Sequence, residues 1–335
     1  MEFRKFSSIE NTYRTKEIND IVEQGLNTGM WCVQEKVHGA NFSFWYDGAD
    51  LRVAKRTSFV DGNFFNCQVI VDKYGENVKA LFDYMKGVNP NIETVHVFGE
   101  LYGGSYPGLK SDTKAIQKGV FYFNELDFYA FDIRIASSTG KVDYLDVDEA
   151  NRLFDKFDFF FAKHVFTGSF EDCLAYTNEY DSTIPALKGM PALETPNICE
   201  GNVIRPIKIT RNRQGNRLIL KNKNEKWSEK SHKSRTPKVP VAVPEHVQKY
   251  IVALSAYITE NRLRNVLSKY GTVAQKDFGK LSGLLIKDAL AEFMLDNPEF
   301  PTLPKDDKKI VTKQAGRMGA DLIRPNFANI LDGEF

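Results

Sequence analysis

The stretch that decides the fold reads Trp31-Cys32-Val33-Gln34-Glu35-Lys36-Val37-His38-Gly39-Ala40-Asn41-Phe42-Ser43-Phe44-Trp45-Tyr46. The apolar run at its start and the alternating run at its end predict two strands, with Lys36 on the tight connection between them. We interpret Lys36 as a candidate nucleophile. The competing interpretation is an ordinary surface lysine in a hairpin.

An amine attacks only when it is unprotonated, and lysine's reference pKa of about 10.4 leaves almost none of it neutral near pH 7. A site that uses a lysine as nucleophile must therefore bury it or surround it with other cations. The chain supplies further cations at Lys55-Arg56 and at Lys221-Asn222-Lys223. A turn at Asp47-Gly48-Ala49-Asp50 predicts a hairpin that brings Arg56 close to Lys36.

The composition predicts a globular protein large enough for two domains. The chain has 335 residues, 42% of them hydrophobic, and 45 Lys and Arg oppose 44 Asp and Glu. No apolar run approaches the ~20 residues that cross a bilayer, and the polar start lacks a signal-peptide core, so we expect a cytoplasmic protein with no membrane partner. The four cysteines are too few and too far apart for a metal knuckle or a disulfide framework, and we expect buried reduced thiols.

Periodicity outlines the domains. Before residue 190 it predicts a short helix within residues 1–30, a helix over 64–85, and strands over 93–100 and 127–135, whereas residues 146–190 give mixed signals. After Pro240 it predicts three helices: one from Pro244 that stops at Gly271, one over 277–295 and one over 306–323.

Positive charge is concentrated in one segment. Residues 205–238 contain twelve Lys and Arg against two acids. Such a run is usually a solvated face or a linker, and its second half, from Ser228, has the composition of a linker. In the first half, the apolar run Leu218-Ile219-Leu220 predicts a strand that places Lys221 and Lys223 on one face, where both could aim at one phosphate.

The motif Lys36-Val37-His38-Gly39-Ala40-Asn41 resembles motif I of the covalent nucleotidyltransferases, the superfamily of polynucleotide ligases and capping enzymes. His38 at the third position resembles the RNA ligase 2 family of bacteriophages and the related trypanosome editing ligases, whereas DNA ligases and capping enzymes usually carry Asp there. Five further motifs follow in the family's order: Ala54-Lys55-Arg56-Thr57, Phe98-Gly99-Glu100, Phe128-Tyr129-Ala130-Phe131-Asp132-Ile133, Glu200-Gly201-Asn202-Val203-Ile204-Arg205-Pro206 and Leu220-Lys221-Asn222-Lys223.

The resemblance implies an α+β fold. Residues 1–234 would form an antiparallel-rich, two-sheet nucleotidyltransferase domain, similar to the ATP-grasp-like adenylation domain of ligases. A basic linker, 235–243, and a small all-helical nick-binding domain, 244–335, would follow. DNA ligases and capping enzymes instead append a barrel of many short strands, which the helical pattern of this C-terminal region does not resemble.

The function that the resemblance implies is an ATP-dependent RNA ligase of RNA repair, which seals 3′-hydroxyl/5′-phosphate nicks in duplex RNA or in RNA/DNA hybrid ends. ATP would be the substrate, with AMP carried covalently on Lys36, and Mg²⁺ or Mn²⁺ would be the cofactor. No obligatory protein partner is implied, and the location would be the host cytoplasm if the protein is phage-encoded.

The resemblance also assigns residue roles. Phe131 would stack on the adenine, although alternation alone makes it a core aromatic, and Glu200 would bind the metal, although alone it would be an unremarkable strand residue. Arg205 would contact RNA. Catalytic roles fall to Lys36, His38, Asn41, Arg56, Asp132, Lys221 and Lys223, and the ATP or AMP site to Glu35, Lys36, Asn41, Arg56, Glu100, Phe131, Glu200, Lys221 and Lys223.

Two positions depart from the family pattern. Ala40 replaces a polar residue, and Arg205 replaces a lysine, so the charge is kept but the planar fork of an arginine is not interchangeable with an ammonium. The alternatives are a DNA ligase, a GTP-dependent capping-type enzyme, and a catalytically inactive RNA-binding relative. The last would be expected to have lost the nucleophile or the lysine pair, and both are present here.

Overall fold

The two runs that flank Lys36 are both strands, as predicted, but they belong to different sheets. The computed structural model describes residues 1–140, 142–230 and 243–335. In chain order the strands are β1 (Glu10–Asn11), β2 (Trp31–Glu35), β3 (Ala40–Tyr46), β4 (Leu51–Lys55), β5 (Ser58–Phe59), β6 (Ile92–Gly103), β7 (Leu126–Ser137), β8 (Val142–Tyr144), β9 (His164–Gly168), β10 (Gly201–Pro206) and β11 (Leu220–Lys223). The lysine connection is therefore a crossing between sheets and not a hairpin.

The helices, in the same order, are α1 (Thr15–Glu23), α2 (Gln68–Val88), α3 (Val147–Lys156), α4 (Phe170–Ala175), α5 (Ile184–Leu187), α6 (Glu245–Ser255), α7 (Glu260–Tyr270), α8 (Phe278–Asp296), α9 (Lys305–Ile323) and α10 (Phe327–Leu331). Among the described residues, none of these helices is both long enough and apolar enough to cross a bilayer. Residues 146–190, where the sequence periodicity gave mixed signals, contain α3, β9, α4 and α5.

One sheet has six strands in the order β5-β4-β3-β6-β7-β8, and every pairing in it is antiparallel. Its long central strands bury apolar side chains such as Phe44, Val97 and Phe128 against α2 and α3. The predicted hairpin at residues 47–50 is present as the β3–β4 connection. This sheet supplies Asn41, Glu100 and Phe131 to the candidate site.

The other sheet has five strands in the order β1-β11-β10-β2-β9. It is antiparallel except for the short β1–β11 pair, and its core packs Trp31 and Ile204 against Ile21 of α1 and Phe170 of α4. Because β2, β10 and β11 are neighbours, the ends of these strands bring Lys36, Glu200 and Lys223 together although they are far apart in sequence.

The chain divides into two units, Met1–Lys226 and Trp227–Phe335. The predicted boundary lay later, at residue 234, and the predicted linker falls, except for Val243, outside the described residues. The earlier division has a physical reason: the Ser228 carbonyl accepts a bond of 3.0 Å from the Asn261 side chain, and the Glu229 carbonyl accepts one of 3.0 Å from Thr259. These residues are therefore tied to the helices that follow.

The second unit is helical, with a core formed by α6 to α10. The helix predicted to run from Pro244 to Gly271 is in fact two helices, α6 and α7. The Thr259 hydroxyl accepts a bond of 3.2 Å from the Arg262 amide, which caps α7 and starts a new helix there. Gly271 does end α7, with a positive φ of 92°.

All four cysteines lie in the described residues, and they are buried and free of disulfides, as predicted.

Candidate active site

The backbone at Lys36 is held in the gap between the two sheets. Its amide donates a bond of 2.8 Å to the carbonyl of Gly201, at the start of β10. Gly39 then passes so close to β6 that an added Cβ would lie 2.1 Å from the Leu101 carbonyl oxygen. A side chain at position 39 would push motif I away from β6, which explains why the motif needs glycine there.

Glu200 is the centre of the site. Its Oε2 lies 2.8 Å from Nζ of Lys36, and its Oε1 lies 2.7 Å from Nζ of Lys223. The carboxylate is only 2% exposed, and burial alone would raise its pKa. The two lysines more than reverse that effect and hold the pKa of Glu200 well below its usual range. The carboxylate is therefore ionised and holds two ammonium groups within reach of one another.

His38 completes this cluster. Its Nδ1 lies 3.5 Å from Oε2 of Glu200, and its backbone amide donates a bond of 2.8 Å to the hydroxyl of Tyr122. Burial lowers the pKa of His38, against the opposing attraction of the Glu200 carboxylate. The ring is thus neutral near pH 7 and adds no positive charge beside the two lysines.

Glu100 is a second carboxylate near Lys36. Burial raises its pKa to about 7, with Glu200 also raising it and the Lys36 charge opposing the rise. Arg56 interacts electrostatically with Glu100. Burial lowers the pKa of the Arg56 guanidinium, and the negative charge of Glu100 raises it. Arg56 Nη1 also donates a bond of 3.0 Å to the carbonyl of Phe6. Arg56 and Lys36 thus both interact with Glu100, and the closeness of Arg56 to Lys36 itself stays a prediction.

The lysine pair lies on β11, where Lys221 is opposite Val203 and Lys223 is opposite Gly201. Residues two apart on a strand face the same side, so both ammonium groups share a face. An added Cβ on Gly201 would lie 2.1 Å from the Asn222 carbonyl oxygen, so β10 and β11 approach this closely only with glycine. The strand begins at Leu220, two residues later than the apolar run indicated.

Phe131 and Asp132 lie on β7, and they have different surroundings. The Phe131 ring is partly buried, with the Phe6 ring 5.2 Å away in an edge-to-face arrangement. Asp132 is 1% exposed, and its carboxylate accepts bonds of 3.1 Å from Arg205 and of 2.8 and 3.2 Å from Arg217. Asp132 thus forms a buried ion cluster with Arg205 and Arg217, and its catalytic role stays a prediction.

Arg205 is the residue whose position departs most from the expectation. It was expected to contact RNA, but its side chain is 3% exposed, with Nη1 on Asp132 and Nη2 donating a bond of 2.7 Å to the Phe131 carbonyl. To reach an RNA phosphate it would have to leave a buried carboxylate, which is strongly unfavourable. In this structure Arg205 instead anchors the backbone of Phe131.

Glu35 and Asn41 flank the motif. The Glu35 carboxylate is buried and accepts bonds from the Ser182 hydroxyl and from both the amide and the hydroxyl of Thr183. It therefore fixes the end of β2. Asn41 lies opposite Glu100 on β6, and its side-chain amide is 3.5 Å from the Gly99 carbonyl.

Sequence reasoning missed Phe6, Tyr122, Ser182, Thr183 and Arg217. Only Arg217 could have been found from the sequence, because it belongs to the basic segment 205–238. The others come from irregular or terminal segments, where no spacing pattern indicates which side chains turn toward the site.

The donor set fits a metal ion only in part. Within residues 1–140, 142–230 and 243–335, no group of three or more His, Cys, Asp or Glu side chains is arranged to hold one. Mg²⁺, however, is commonly held by one or two carboxylates together with substrate phosphates. Glu100 and Glu200, which influence each other's charge beside Lys36, fit an ion of that kind. They do not form a site that would bind it without a nucleotide.

Comparison with known proteins matches this site to one family. The family model described as RNA ligase matches residues 29–223, and the model described as T4 RNA ligase 2 C-terminal matches residues 241–320. The mitochondrial RNA-editing ligase 2 of Trypanosoma brucei brucei is 26% identical over 93% of this chain and 88% of its own length. The mitochondrial RNA-editing ligase 1 of the same organism is 29% identical over 57% of this chain and 48% of its own length.

Solved structures with some likeness include an RNA ligase of Naegleria gruberi, with 17% identity over 66% of this chain and 56% of that one and a TM-score of 0.42. Another is an archaeal ATP-dependent RNA ligase, with 15% identity over 90% of this chain and 67% of that one and a TM-score of 0.41. The RNA ligase model covers more than half of the chain and includes every motif from Lys36 to Lys223. This chain belongs to the RNA ligase family, and its C-terminal match makes it a member of the RNA ligase 2 type.

Proposed function

We propose that this protein is an ATP-dependent ligase that seals 3′-hydroxyl/5′-phosphate breaks in duplex RNA, and that Lys36 carries the AMP. The observation that carries the proposal is the arrangement around Glu200, which holds the Nζ atoms of Lys36 and Lys223 at 2.8 and 2.7 Å. In this proposal one carboxylate positions both the nucleophile, Lys36, and a phosphate-binding cation, Lys223.

In the first step the Lys36 amine, after losing a proton, attacks the α-phosphorus of ATP. A nitrogen–phosphorus bond forms, the bond from the α-phosphorus to the bridging oxygen breaks, and pyrophosphate leaves with the bonding electrons. The nitrogen gives up a second proton and becomes the uncharged nitrogen of a phosphoramidate, which keeps one negative charge on its phosphate oxygens. The anionic phosphates would compete with Glu200 for the two lysines, so that charge neutralisation passes from carboxylate to substrate.

The other side chains of the site would bind the phosphates and the adenine. Lys223, with Lys221 on the same face, would bind the α-phosphate oxygens as charge develops on them. Phe131 would face the adenine, held by the Arg205 bond to its carbonyl. Neutral His38 would border the phosphate without repelling Lys36. A divalent cation, Mg²⁺ or Mn²⁺, would further neutralise the phosphates, with Glu200 or Glu100 as the carboxylates that could hold it.

In the second step an oxygen of the RNA 5′-phosphate attacks the phosphorus of the bound AMP, and the bond to Lys36 breaks, with the amine regaining the two protons that it lost in the first step. In the third step the RNA 3′-hydroxyl loses a proton and attacks the activated 5′-phosphorus, and AMP leaves. Positioning and electrostatic stabilisation should dominate the rate of all three transfers.

RNA as the substrate is supported by the family match and by the name of a relative aligned over 93% of this chain, an RNA-editing ligase. The duplex form of that RNA is part of the proposal. An experiment with labelled nucleotide distinguishes an RNA ligase from a DNA ligase, a capping-type enzyme and an inactive relative. The protein is incubated with ATP or GTP labelled at the α-phosphate and with Mg²⁺ or Mn²⁺, and the adduct is then chased with nicked RNA, RNA/DNA and DNA duplexes.

We expect a labelled protein from ATP alone and sealing of breaks in RNA. A label from GTP would favour a capping-type enzyme, sealing of DNA in preference to RNA would favour a DNA ligase, and a protein without label would be an inactive relative.

A further inference from the structure

The segment between β6 and β7, residues 104–125, is attached to motif I on its inner side. The hydroxyl of Tyr122 accepts the His38 amide at 2.8 Å, and the Gln117 side chain donates to the Gly39 carbonyl at 3.4 Å. We call this segment the motif I cover. Its inner contacts are to His38 and Gly39, so the segment packs against the motif that carries Lys36.

The outer surface of the motif I cover presents an aromatic ring. Phe121 is 39% exposed, whereas its neighbour Tyr122 is 3% exposed and points inward. The ring centroids of Phe121 and Tyr106 are 6.4 Å apart in an edge arrangement. A single exposed apolar ring is common on protein surfaces, so its exposure indicates a binding role only together with a fixed geometry and a matching charge.

The backbone that carries this ring is held firmly. The Phe121 amide donates to Oδ1 of Asn197 at 2.8 Å, and Nδ2 of the same side chain donates to the Phe121 carbonyl at 2.6 Å. Asn197 is 8% exposed, and its own amide donates to Asp181 at 2.8 Å. A ring on so fixed a backbone loses little conformational freedom when it binds, which is what makes an aromatic anchor effective.

The charge around this ring matches a nucleic acid. The cover contains three lysines, Lys110, Lys114 and Lys118, against two acids, Asp112 and Glu125. Lysines beside a rigid exposed ring are the combination that binds unstacked bases, because the cations attract the phosphate backbone and the ring stacks on a base of any sequence. A protein partner would call instead for a wider apolar patch.

We propose that Phe121 is a stacking platform for a nucleobase next to the break, and that the substrate therefore presents a base that has left its helical stack at that point. This inference rests on the proposed function, because it takes RNA as the substrate. It adds a specificity element outside the nucleotidyl-transfer site: the enzyme would distinguish a broken strand, whose terminal base can unstack, from an intact duplex.

The test uses nicked RNA duplexes with 2-aminopurine, whose fluorescence falls on stacking, at each base flanking the break. The proteins are wild type, Phe121→Trp, Phe121→Leu and Phe121→Ala, with Leu109→Ala as a matched control because Leu109 is 42% exposed on the same cover. We expect one position to be quenched by the wild type, the Trp variant and the control, and that quench to be lost in the Ala and Leu variants.

Affinity for the nicked duplex should fall about ten-fold in Phe121→Ala and in Phe121→Leu, which keeps the bulk but not the flat ring. With an abasic nucleotide at the quenched position, wild type and Phe121→Ala should bind equally, since the partner of the ring is gone. Three results would each overturn the proposal. Phe121→Leu could bind as tightly as wild type, or Phe121→Ala could show the same quench as wild type. Phe121→Ala could also keep its loss of about ten-fold in affinity on the abasic RNA.

Adenylylation of Lys36 by labelled ATP is measured for every variant in the same experiment. A wild-type protein that forms no adenylate would refute the proposed function, whereas a protein that forms adenylate but shows no ring-dependent quench would refute only the stacking platform. Thermal unfolding of each variant checks the fold, and Phe121→Trp, which should retain the quench, guards against a loss caused by misfolding.

Discussion

Nζ of Lys36 lies 2.8 Å from Oε2 of Glu200, a buried carboxylate that is ionised at neutral pH. The candidate nucleophile is thus held as one partner of an ion pair, and its proton must be removed before it can attack. The same carboxylate holds Lys223 through its other oxygen. Substitutions at Lys36 and at Glu200 should therefore have different consequences.

Lys36→Ala should fold and form no covalent adenylate, because the attacking nitrogen is gone. Lys36→Arg is the matched control: it keeps a cation near Glu200 but offers no nucleophile of comparable strength, so it should also form none. The measurement is transfer of label from ATP to protein. On a nick that is already adenylylated both variants should still seal, since the third step does not use the lysine as a nucleophile. Label on either variant would refute the assignment.

Glu200→Gln should lower the rate of adenylylation by about 10²-fold, because an amide cannot hold two ammonium groups in place for the transition state. Lys223→Ala, which removes one of these cations, should have a loss of similar size. Rates are compared at several concentrations of Mg²⁺ and Mn²⁺. Recovery of Glu200→Gln at high metal would support a metal-binding role for Glu200, and a rate near that of wild type at all concentrations would contradict both roles.

Glu100 should make stability depend on pH. Burial raises its pKa from 4.5 to about 7 in the folded protein, so between these values the folded state binds more protons than the unfolded state. By linkage, this group's contribution to the free energy of unfolding falls as the pH rises through that window. Glu100→Gln should therefore be more stable than wild type at pH 8, by on the order of 1–3 kcal/mol, and no more stable at pH 4.

Thermal unfolding across pH 4 to 8 measures this difference. The exposed Glu125→Gln serves as the control and should follow the wild-type curve. If Glu100→Gln ran parallel to wild type at every pH, the carboxyl would not be held in its protonated form by the fold.

Asp132→Asn should destabilise the first unit by about 3–5 kcal/mol, because it leaves the buried guanidinium groups of Arg205 and Arg217 without their counter-ion. Urea unfolding measures the loss, with the exposed Asp50→Asn as the control. Adenylylation should fall only in proportion to the folded fraction. A larger loss would show that Asp132 acts in the pocket as well as in the fold.

Removal of the helical unit by a cut after Lys226 should leave adenylylation of Lys36 largely intact, because every residue of the site lies before the cut. Binding and sealing of a nicked duplex should fall sharply, since a duplex needs many phosphate contacts on both sides of the break. Both activities are measured at one salt concentration. Equal loss of both would make the helical unit part of the folding core, and equal retention would leave it without a role in ligation.

Much of this protein could be predicted from the sequence, because its strands and helices have strong periodicity and its motifs are short and ordered. The strands around Lys36, the β3–β4 hairpin, α2, α8 and α9 all follow from local patterns. So does the placement of Lys221 and Lys223 on one face, because side chains two apart on a strand point the same way.

The partners of these residues could not be predicted. That Glu200 holds both Lys36 and Lys223, that Asp132 pairs with Arg205 and Arg217, and that the Phe6 ring lies against Phe131 are contacts between elements far apart in the chain. The local pattern at Arg205 is that of a strand residue in a basic segment, and only the neighbouring sheet turns it into a buried cation.

The sequence by itself determined the family and the candidate site residues, because the motifs that contain them lie in the family's order from Lys36 to Lys223. The tertiary structure decided which charges neutralise one another, because the pKa of a carboxylate such as Glu100 or Glu200 depends on how much water remains around it and which cations lie within a few ångströms. Those distances arise only in the folded protein, where Gly201 lets β10 approach β11 and Gly39 lets motif I approach β6.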